Sequence, residues 1–301
     1  MKKVLKWLGI VVGIVVGLVV IAAATIYGVT EYRSTRAWNV KVASVTIPTD
    51  AASVKWGEHV AVVRGCVDCH GANLGGKIFI EDPAVGRLIS VNLTSGKGGI
   101  GKTFSDTDLV RVIRHGVDPS GRSVWFMPAQ EFYYLSDTDL GALIAYLRSV
   151  PPVDNELPKS NLAFLIRTIY LLTGEVALFP AELINHDAPR PVAPPVGVTA
   201  DYGKYLAVGC TGCHGTGFGG GAIPGAPPSF PPAINITPGG EIQGWSEADF
   251  VKAMRTGVNP GGRQLNNDYM PWKIIGQMTD DELKAVLLYL RSLPKKEQGS
   301  R

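Results

Sequence analysis

Charge is scarce in this chain: Asp, Glu, Lys and Arg make up 18% of its 301 residues, and the formal net charge is +3. No Lys/Arg cluster interleaved with aromatics stands out, so no nucleic acid is expected as a partner. Sustained strand alternation is missing from every segment, which removes the usual signal of a sheet-built domain. Cysteine is rarer still. The four present all fall in two seven-residue stretches, "GCVDCHG" at 65–71 and "GCTGCHG" at 209–215. No fifth cysteine is left over as a ligand or nucleophile. Glycine and proline, by contrast, are plentiful at 36 and 21, and hydrophobic residues reach 46%. Short helices joined by long, turn-rich connections account for that combination, and recurrent Trp, Tyr and Leu argue against disorder.

The amino terminus carries the longest apolar run. Lys2, Lys3 and Lys6 precede residues 7–30, a stretch without a single charge. Such a run crosses a hydrocarbon core as a helix. Lysines on its leading side place the start in the cytoplasm and the chain from Glu31 onward outside. A cleaved signal peptide is the rival, with Ala22, Ala23 and Ala24 as small residues for a peptidase. The run is longer than the roughly 7–15 residues of a signal-peptide core, which favours an anchor. Either reading exports the rest. A second apolar stretch, 162–179, is interrupted by Arg167, Gly174 and Glu175. It is too broken to span a bilayer and reads as a buried or interfacial helix.

The two cysteine stretches belong to a repeat of about 140 residues. "WGEHVAVVRG" from Trp56 and "YGKYLAVGC" from Tyr202 lead into them. "VNLT" (91–94) and "INIT" (234–237) follow, then "FSDTDLVRVIRHGVDPSGR" (104–122) and "WSEADFVKAMRTGVNPGGR" (245–263). "FMP" (126–128) matches "YMP" (269–271), and "LSDTDLGALIAYLRSVP" (135–151) matches "MTDDELKAVLLYLRSLP" (278–294). The closing segments have helix grammar: Ser136 or Thr279 as cap, acidic residues in the first turn, Arg148 or Arg291 in the last, and proline beyond. The fold class is therefore all-α, twice over. Expected boundaries are an anchor over 1–30, a juxtamembrane linker over 31–53, a first domain over 54–152, a Pro-rich inter-domain segment over 153–199, a second domain over 200–294 and a tail over 295–301.

Four chemistries use paired cysteines. A disulfide framework is the default outside the cell. A thioredoxin-like pair requires a βαβ context that is not visible, and a structural zinc site rarely sets His directly behind the second Cys. Cys-x-x-Cys-His is the signature of c-type haem attachment: two thiols form thioethers with the haem vinyls, and the adjacent imidazole ligates iron. Two copies of this compact pattern favour haem. Six-coordinate iron needs a further ligand. Met1, Met254 and Met278 have no counterpart in the other copy, whereas Met127 and Met270 match, each followed by proline. They are the candidate axial thioethers. His59, His115 and His186 are not matched by histidine; His115 is a minor candidate for a haem-propionate contact, and so are the paired Arg114 and Arg255, which are as readily capping or solvated groups.

With these motifs in view, the chain resembles membrane-anchored di-haem cytochromes c, and in particular the cytochrome c subunits of bacterial alcohol and gluconate dehydrogenases. The resemblance rests on the two Cys-x-x-Cys-His stretches, "NLT" and "NITP", the Met-Pro pairs and the closing "AYLRSVPP" and "LYLRSLP". It implies two tandem class I cytochrome c-like domains behind a single N-terminal transmembrane helix. It further implies two covalently bound haem c groups at Cys66, Cys69, Cys210 and Cys213, with axial pairs His70/Met127 and His214/Met270. Those dehydrogenase subunits carry three haems and a C-terminal membrane segment; here there are two motifs and an N-terminal run, and "NLTS" lacks the proline of "NITP".

The expected function is electron transfer, not catalysis, on the outer face of a bacterial cytoplasmic membrane. Donors would be a dehydrogenase or a quinol-oxidising cytochrome bc-type complex, and acceptors a soluble cytochrome or terminal oxidase. A permanent haem subunit of a larger complex is the alternative. A di-haem oxidoreductase fits less well, because both sites have a methionine candidate and no cysteine is spare.

Overall fold

A computed structural model describes residues 2–227 and 229–301; Met1 lies outside them. Helix α1 (Lys2–Thr35) is, among the described residues, the one helix long and apolar enough to cross a membrane. Its uncharged run of 24 residues rises roughly 36 Å against a hydrocarbon core of about 30 Å. Its side chains stay exposed until Thr30 and Ser34, which are buried against the rest of the chain.

Each domain is framed by two helices. In the first, α2 (Ala51–Val63) leads into the short α3 (Cys66–His70), and α6 (Asp137–Ser149) closes the domain. In the second, α8 (Ala200–Leu206) leads toward α9 (Thr211–His214), and α12 (Asp280–Ser292) closes it. All four framing helices begin with a side-chain cap: Asp50, Ser136, Thr199 and Thr279 accept from backbone N–H groups of their first turns. Between each pair lie a middle helix, α4 (Asp106–His115) or α10 (Glu247–Thr256), and a single turn, α5 (Ala129–Phe132) or α11 (Trp272–Ile275). Both middle helices start in a capping box, Ser105/Asp108 and Ser246/Asp249, and end at a left-handed glycine. Arg148 and Arg291 do not cap their own helices: Arg148 donates to the Phe104 carbonyl at 2.7 Å, and Arg291 to the equivalent Trp245 carbonyl.

Leading and closing helices touch backbone to backbone. A Cβ on Gly57 would lie 1.9 Å from the Ala142 carbonyl oxygen, and one on Gly203 would lie 1.9 Å from that of Ala285. Leu140, Leu143 and Ile144 fill the core below the first crossing, and Leu283, Leu287 and Leu290 fill it below the second.

The all-α expectation is borne out, with one small addition. Strands β1 (Lys77–Asp82), β2 (Gly86–Ser90) and β3 (Asn161–Leu162) form a small antiparallel sheet in the order β1-β2-β3. Their alternation is broken by a register shift at Ile78/Ile80 and by the exposure of most of β1, so no clean period of two reaches the sequence. The segment between the domains is more than a linker. After β3 it forms α7 (Phe164–Thr173), whose Ile166 and Tyr170 join Leu88, Leu178 and Phe179 in a separate apolar cluster.

The domains meet along a seam with approximate two-fold symmetry. Trp56 Nε1 donates to Asp139 Oδ1 at 2.7 Å within the first domain, and Tyr205 of the second donates across to the same carboxylate. In the mirror relation, Tyr202 donates to Glu282 Oε1 at 3.4 Å within the second domain, and His59 of the first reaches across to Glu282 at 2.9 Å. The repeat makes Trp56 equivalent to Tyr202, His59 to Tyr205 and Asp139 to Glu282. His59 is thus an inter-domain contact whose counterpart is a tyrosine. Burial and the neighbouring Asp139 charge push Tyr205 up to about 12, so it remains a donor at neutral pH. Burial opposes the Glu282 charge, but hydrogen bonds from His59 and Thr279 outweigh it and hold that carboxyl below its ordinary value.

Gly203→Ala is expected to destabilise the second domain by about 1–3 kcal/mol through overpacking; an unchanged unfolding midpoint would show that the crossing is not tight. Because the folded Glu282 carboxyl titrates below its unfolded value, its contribution is full above the ordinary carboxylate range and disappears as pH falls through the folded value. Glu282→Gln should therefore cost about 1–3 kcal/mol near neutrality and nearly nothing in strong acid, measured by denaturant unfolding across pH.

Candidate haem sites

Each leading helix runs into an attachment turn, and each turn is closed by a glycine with positive φ, Gly71 at 84° and Gly215 at 78°. The backbone there leaves helical geometry at no steric cost. It then folds back so that Gly76 N–H donates to the His70 carbonyl at 2.8 Å and Gly220 N–H to that of His214 at 3.0 Å. Both imidazoles are held alike. His70 Nδ1 lies 2.7 Å from the Val91 carbonyl and His214 Nδ1 lies 2.8 Å from that of Ile234. A carbonyl only accepts, so Nδ1 carries the proton and Nε2 keeps its lone pair.

The "NLT" and "NIT" segments immediately follow those two carbonyls. Asn92 Oδ1 accepts from Thr94 N and Oγ1 at 2.9 and 2.8 Å, while its Nδ2 donates to the Val153 carbonyl at 2.7 Å. Asn235 repeats the pattern with Thr237 at 2.9 and 2.7 Å and with the Lys296 carbonyl at 2.6 Å. All four side chains are buried. This latch ties the histidine-holding loop to the chain just beyond the closing helix.

Cys66, Cys69, His70 and Met127 line one cavity of about 590 Å³, and Cys210, Cys213, His214 and Met270 line another of about 270 Å³. Each methionine directly precedes the proline that starts α5 or α11, where extended backbone is enforced. Phe126, just before Met127, is left-handed at φ 62°. Met254 and Met278 also line the second cavity, but their equivalents Ile113 and Leu135 line the first. They occupy wall positions that any apolar side chain fills.

No disulfide joins any two of the four cysteines. Burial pushes the Cys66 and Cys210 thiols up to about 12. Burial likewise lowers His70 and His214, keeping both imidazoles neutral. Two thiols, a neutral imidazole with a free Nε2, a thioether and apolar walls suit haem c in both cavities.

The minor candidates sit elsewhere. His115 Nδ1 lies 3.1 Å from His186 Nδ1, outside the cavity lining. Arg114 binds Asp137 at 2.8 Å and the Leu135 carbonyl at 2.8 Å, and Arg255 binds Asp280 at 2.7 Å and the Gly276 carbonyl, so both brace the starts of α6 and α12. The cations that do line the cavities are Arg64 and Lys159 in the first and Arg263 in the second. Sequence reading singled out none of the three, and the first two have no equivalent in the other copy. Arg64 also crosses the seam to the Tyr205 and Leu206 carbonyls, both at 3.3 Å. Glu131 of α5 abuts Gly212 of the other attachment turn, where a Cβ would lie 2.7 Å from its Oε1. Burial raises this carboxyl to about 7, against the pull of Arg64. The two attachment segments thus adjoin one another.

Residues 54–147 match the family model of cytochrome c oxidase, cbb3-type, subunit III, and residues 200–294 match that of cytochrome c. The chain is built of two cytochrome c domains carrying two covalent haem c groups: it is an electron-transfer di-haem cytochrome c. It is 26% identical over 83% of its length to the cytochrome c subunit of the quinone-dependent alcohol dehydrogenase of Gluconobacter oxydans. To the gluconate 2-dehydrogenase cytochrome c subunit of Pantoea cypripedii it is 32% identical over 54% of its length. It spans 56% and 38% of those two subunits. A di-haem c-type cytochrome of Cereibacter sphaeroides is 26% identical over 79% of this chain and 85% of its own length.

Asn235→Ala should lower the stability of the second domain by about 1–3 kcal/mol, because Thr237 and the Lys296 carbonyl lose their partner in a buried site. It should also shift the reduction potential of the second haem alone, read by potentiometric titration. Equal shifts at both haems would remove the latch from its assigned role.

Proposed function

We propose that this chain is a membrane-anchored electron relay, itself not an enzyme, working as the haem subunit of a dehydrogenase or similar respiratory assembly on the outer face of a bacterial cytoplasmic membrane. The observation that carries the proposal is the matched methionine in each cavity. Cys66 and Cys69 attach one haem and Cys210 and Cys213 the other; His70 with Met127, and His214 with Met270, are the axial pairs. Haem c, when bound, supplies a one-electron ferric/ferrous couple. With an imidazole and a thioether to hold each haem iron, no position would be left there for substrate. Its apolar walls exclude water, and Arg64, Lys159 and Arg263 are the cations available to the haem carboxylates. Helix α1 provides the anchor, and Lys2, Lys3 and Lys6 ahead of its uncharged run favour an orientation with the two domains outside the cytoplasm.

The adjoining attachment turns support electron exchange between the two sites within one chain. The names of the similar dehydrogenase subunits favour a dehydrogenase donor, with a cytochrome bc-type complex as the other source and a soluble cytochrome or terminal oxidase as acceptor.

Met127→Ala and Met270→Ala separate this reading from a catalytic one. Each variant should keep both haems covalently bound, lower the potential of one haem only and let that ferrous haem bind carbon monoxide. The unaltered protein should bind none; rapid binding by it would overturn the carrier assignment.

A further inference from the structure

Helix α7 turns its apolar face outward. Phe164, Leu165 and Leu172 are 50%, 51% and 77% exposed, while Ile166, Arg167 and Tyr170 are buried. Thr168 lies between them at helical spacing, so the outward face carries no charge. The single charge of α7 points the other way. Arg167 Nη1 donates to Thr30 Oγ1 at 2.9 Å and approaches Glu31 Oε2 at 3.3 Å, and its guanidinium lies 4.6 Å from the centre of the Tyr27 ring. One turn further along, Arg33 Nη1 donates to Tyr170 Oη at 2.7 Å, and Tyr170 donates in turn to Glu182.

These bonds fix α7 at one height on α1. Glu31 is the first charge after Lys6, so Arg167 is paired at the point where the uncharged run ends. That run is slightly longer than a hydrocarbon core, which sets its last turn at headgroup level. Exposed Tyr27 and Tyr32 flank the same level, as aromatic residues do at a bilayer boundary. A helix held there, amphipathic and uncharged on its free face, has the composition of an interfacial helix.

We propose that Phe164, Leu165 and Leu172 of α7 lie in the headgroup–acyl boundary of the bilayer that α1 crosses, as a second, non-spanning contact that fixes how the first haem domain faces the membrane. The proposal rests on the reading of α1 as a membrane span. Because α7 is bonded to α1 through Arg167 and Tyr170, it cannot leave the surface without breaking that buried pairing. One contact alone would leave the domain free to rotate about the anchor; two contacts define an orientation.

The test uses the full-length holoprotein in phosphatidylethanolamine/phosphatidylglycerol vesicles, with single nitroxides on Leu165→Cys, Leu172→Cys, Ile14→Cys and Asp281→Cys. Collisional relaxation by oxygen, which concentrates in lipid, is compared with that by a water-soluble nickel chelate. The labels at 165 and 172 should show an oxygen-to-nickel ratio several-fold above that at 281, with the label at 14 higher still. A high ratio at 14 with water-like values at 165 and 172 overturns the interfacial seat and leaves that face to a protein partner. A water-like value at 14 overturns the membrane span itself, and this proposal with it.

Discussion

Two close backbone approaches organise the molecule. Where Gly57 lies against the Ala142 carbonyl, and Gly203 against that of Ala285, leading and closing helices cross without room for a methyl group. Everything functional hangs from the leading helix so placed. Its C-terminal end becomes the attachment turn, so the crossing sets where both thiols and the imidazole stand. Beside the glycine, His59 or Tyr205 reaches across to the partner domain, and Trp56 or Tyr202 holds its own domain's carboxylate in the same seam. A larger residue at that glycine would push the helix outward and disturb the haem cavity and the seam together. Glycine is unfavourable inside a helix by about 1 kcal/mol relative to alanine, so its presence twice at one position reflects the demand for contact.

Duplication made much of this readable beforehand, because two copies under the same physical demands act as a control on each other. Caps, cysteine turns and Met-Pro pairs recur in register, and coincidence does not produce that order. The same control separates Met270 from its neighbours. Met254 and Met278 share its cavity, yet Ile113 and Leu135 stand in their places in the first domain. A wall position accepts any apolar side chain of similar volume, whereas a thioether position does not.

What escaped the sequence escaped for physical reasons. The sheet is short, irregular in register and largely exposed, so it imposes no alternation. The seam pairs a histidine with a tyrosine as equivalents, and chemical likeness between copies gives no hint of it. Arg64 and Glu131 act between domains, which a repeat alignment treats as independent. Arg114 and Arg255 were visible as a pair, but the pairing reflects a shared structural brace on the following helix. The Asn-x-Thr latch was recognisable as a pattern, but its work, holding the carbonyl that fixes the histidine tautomer, is apparent only once Val91 and Ile234 are placed.

The two domains are built alike but set in different surroundings. The first carries the sheet, α7 and the contacts to α1, so α1 is fixed to it. Its cavity is larger and takes in Arg64, Asp68, Asp118 and Lys159, whereas Arg263 is the one charged side chain among the described residues lining the second. Charges facing a haem stabilise or destabilise its ferric form according to sign, and burial in an apolar wall disfavours the added positive charge. Two cavities with the same matched residues in unlike walls therefore differ in electrostatics. The repeat presents two equivalent sets of side chains; the unequal linings give each its own electrostatic setting, and the seam joins the two domains.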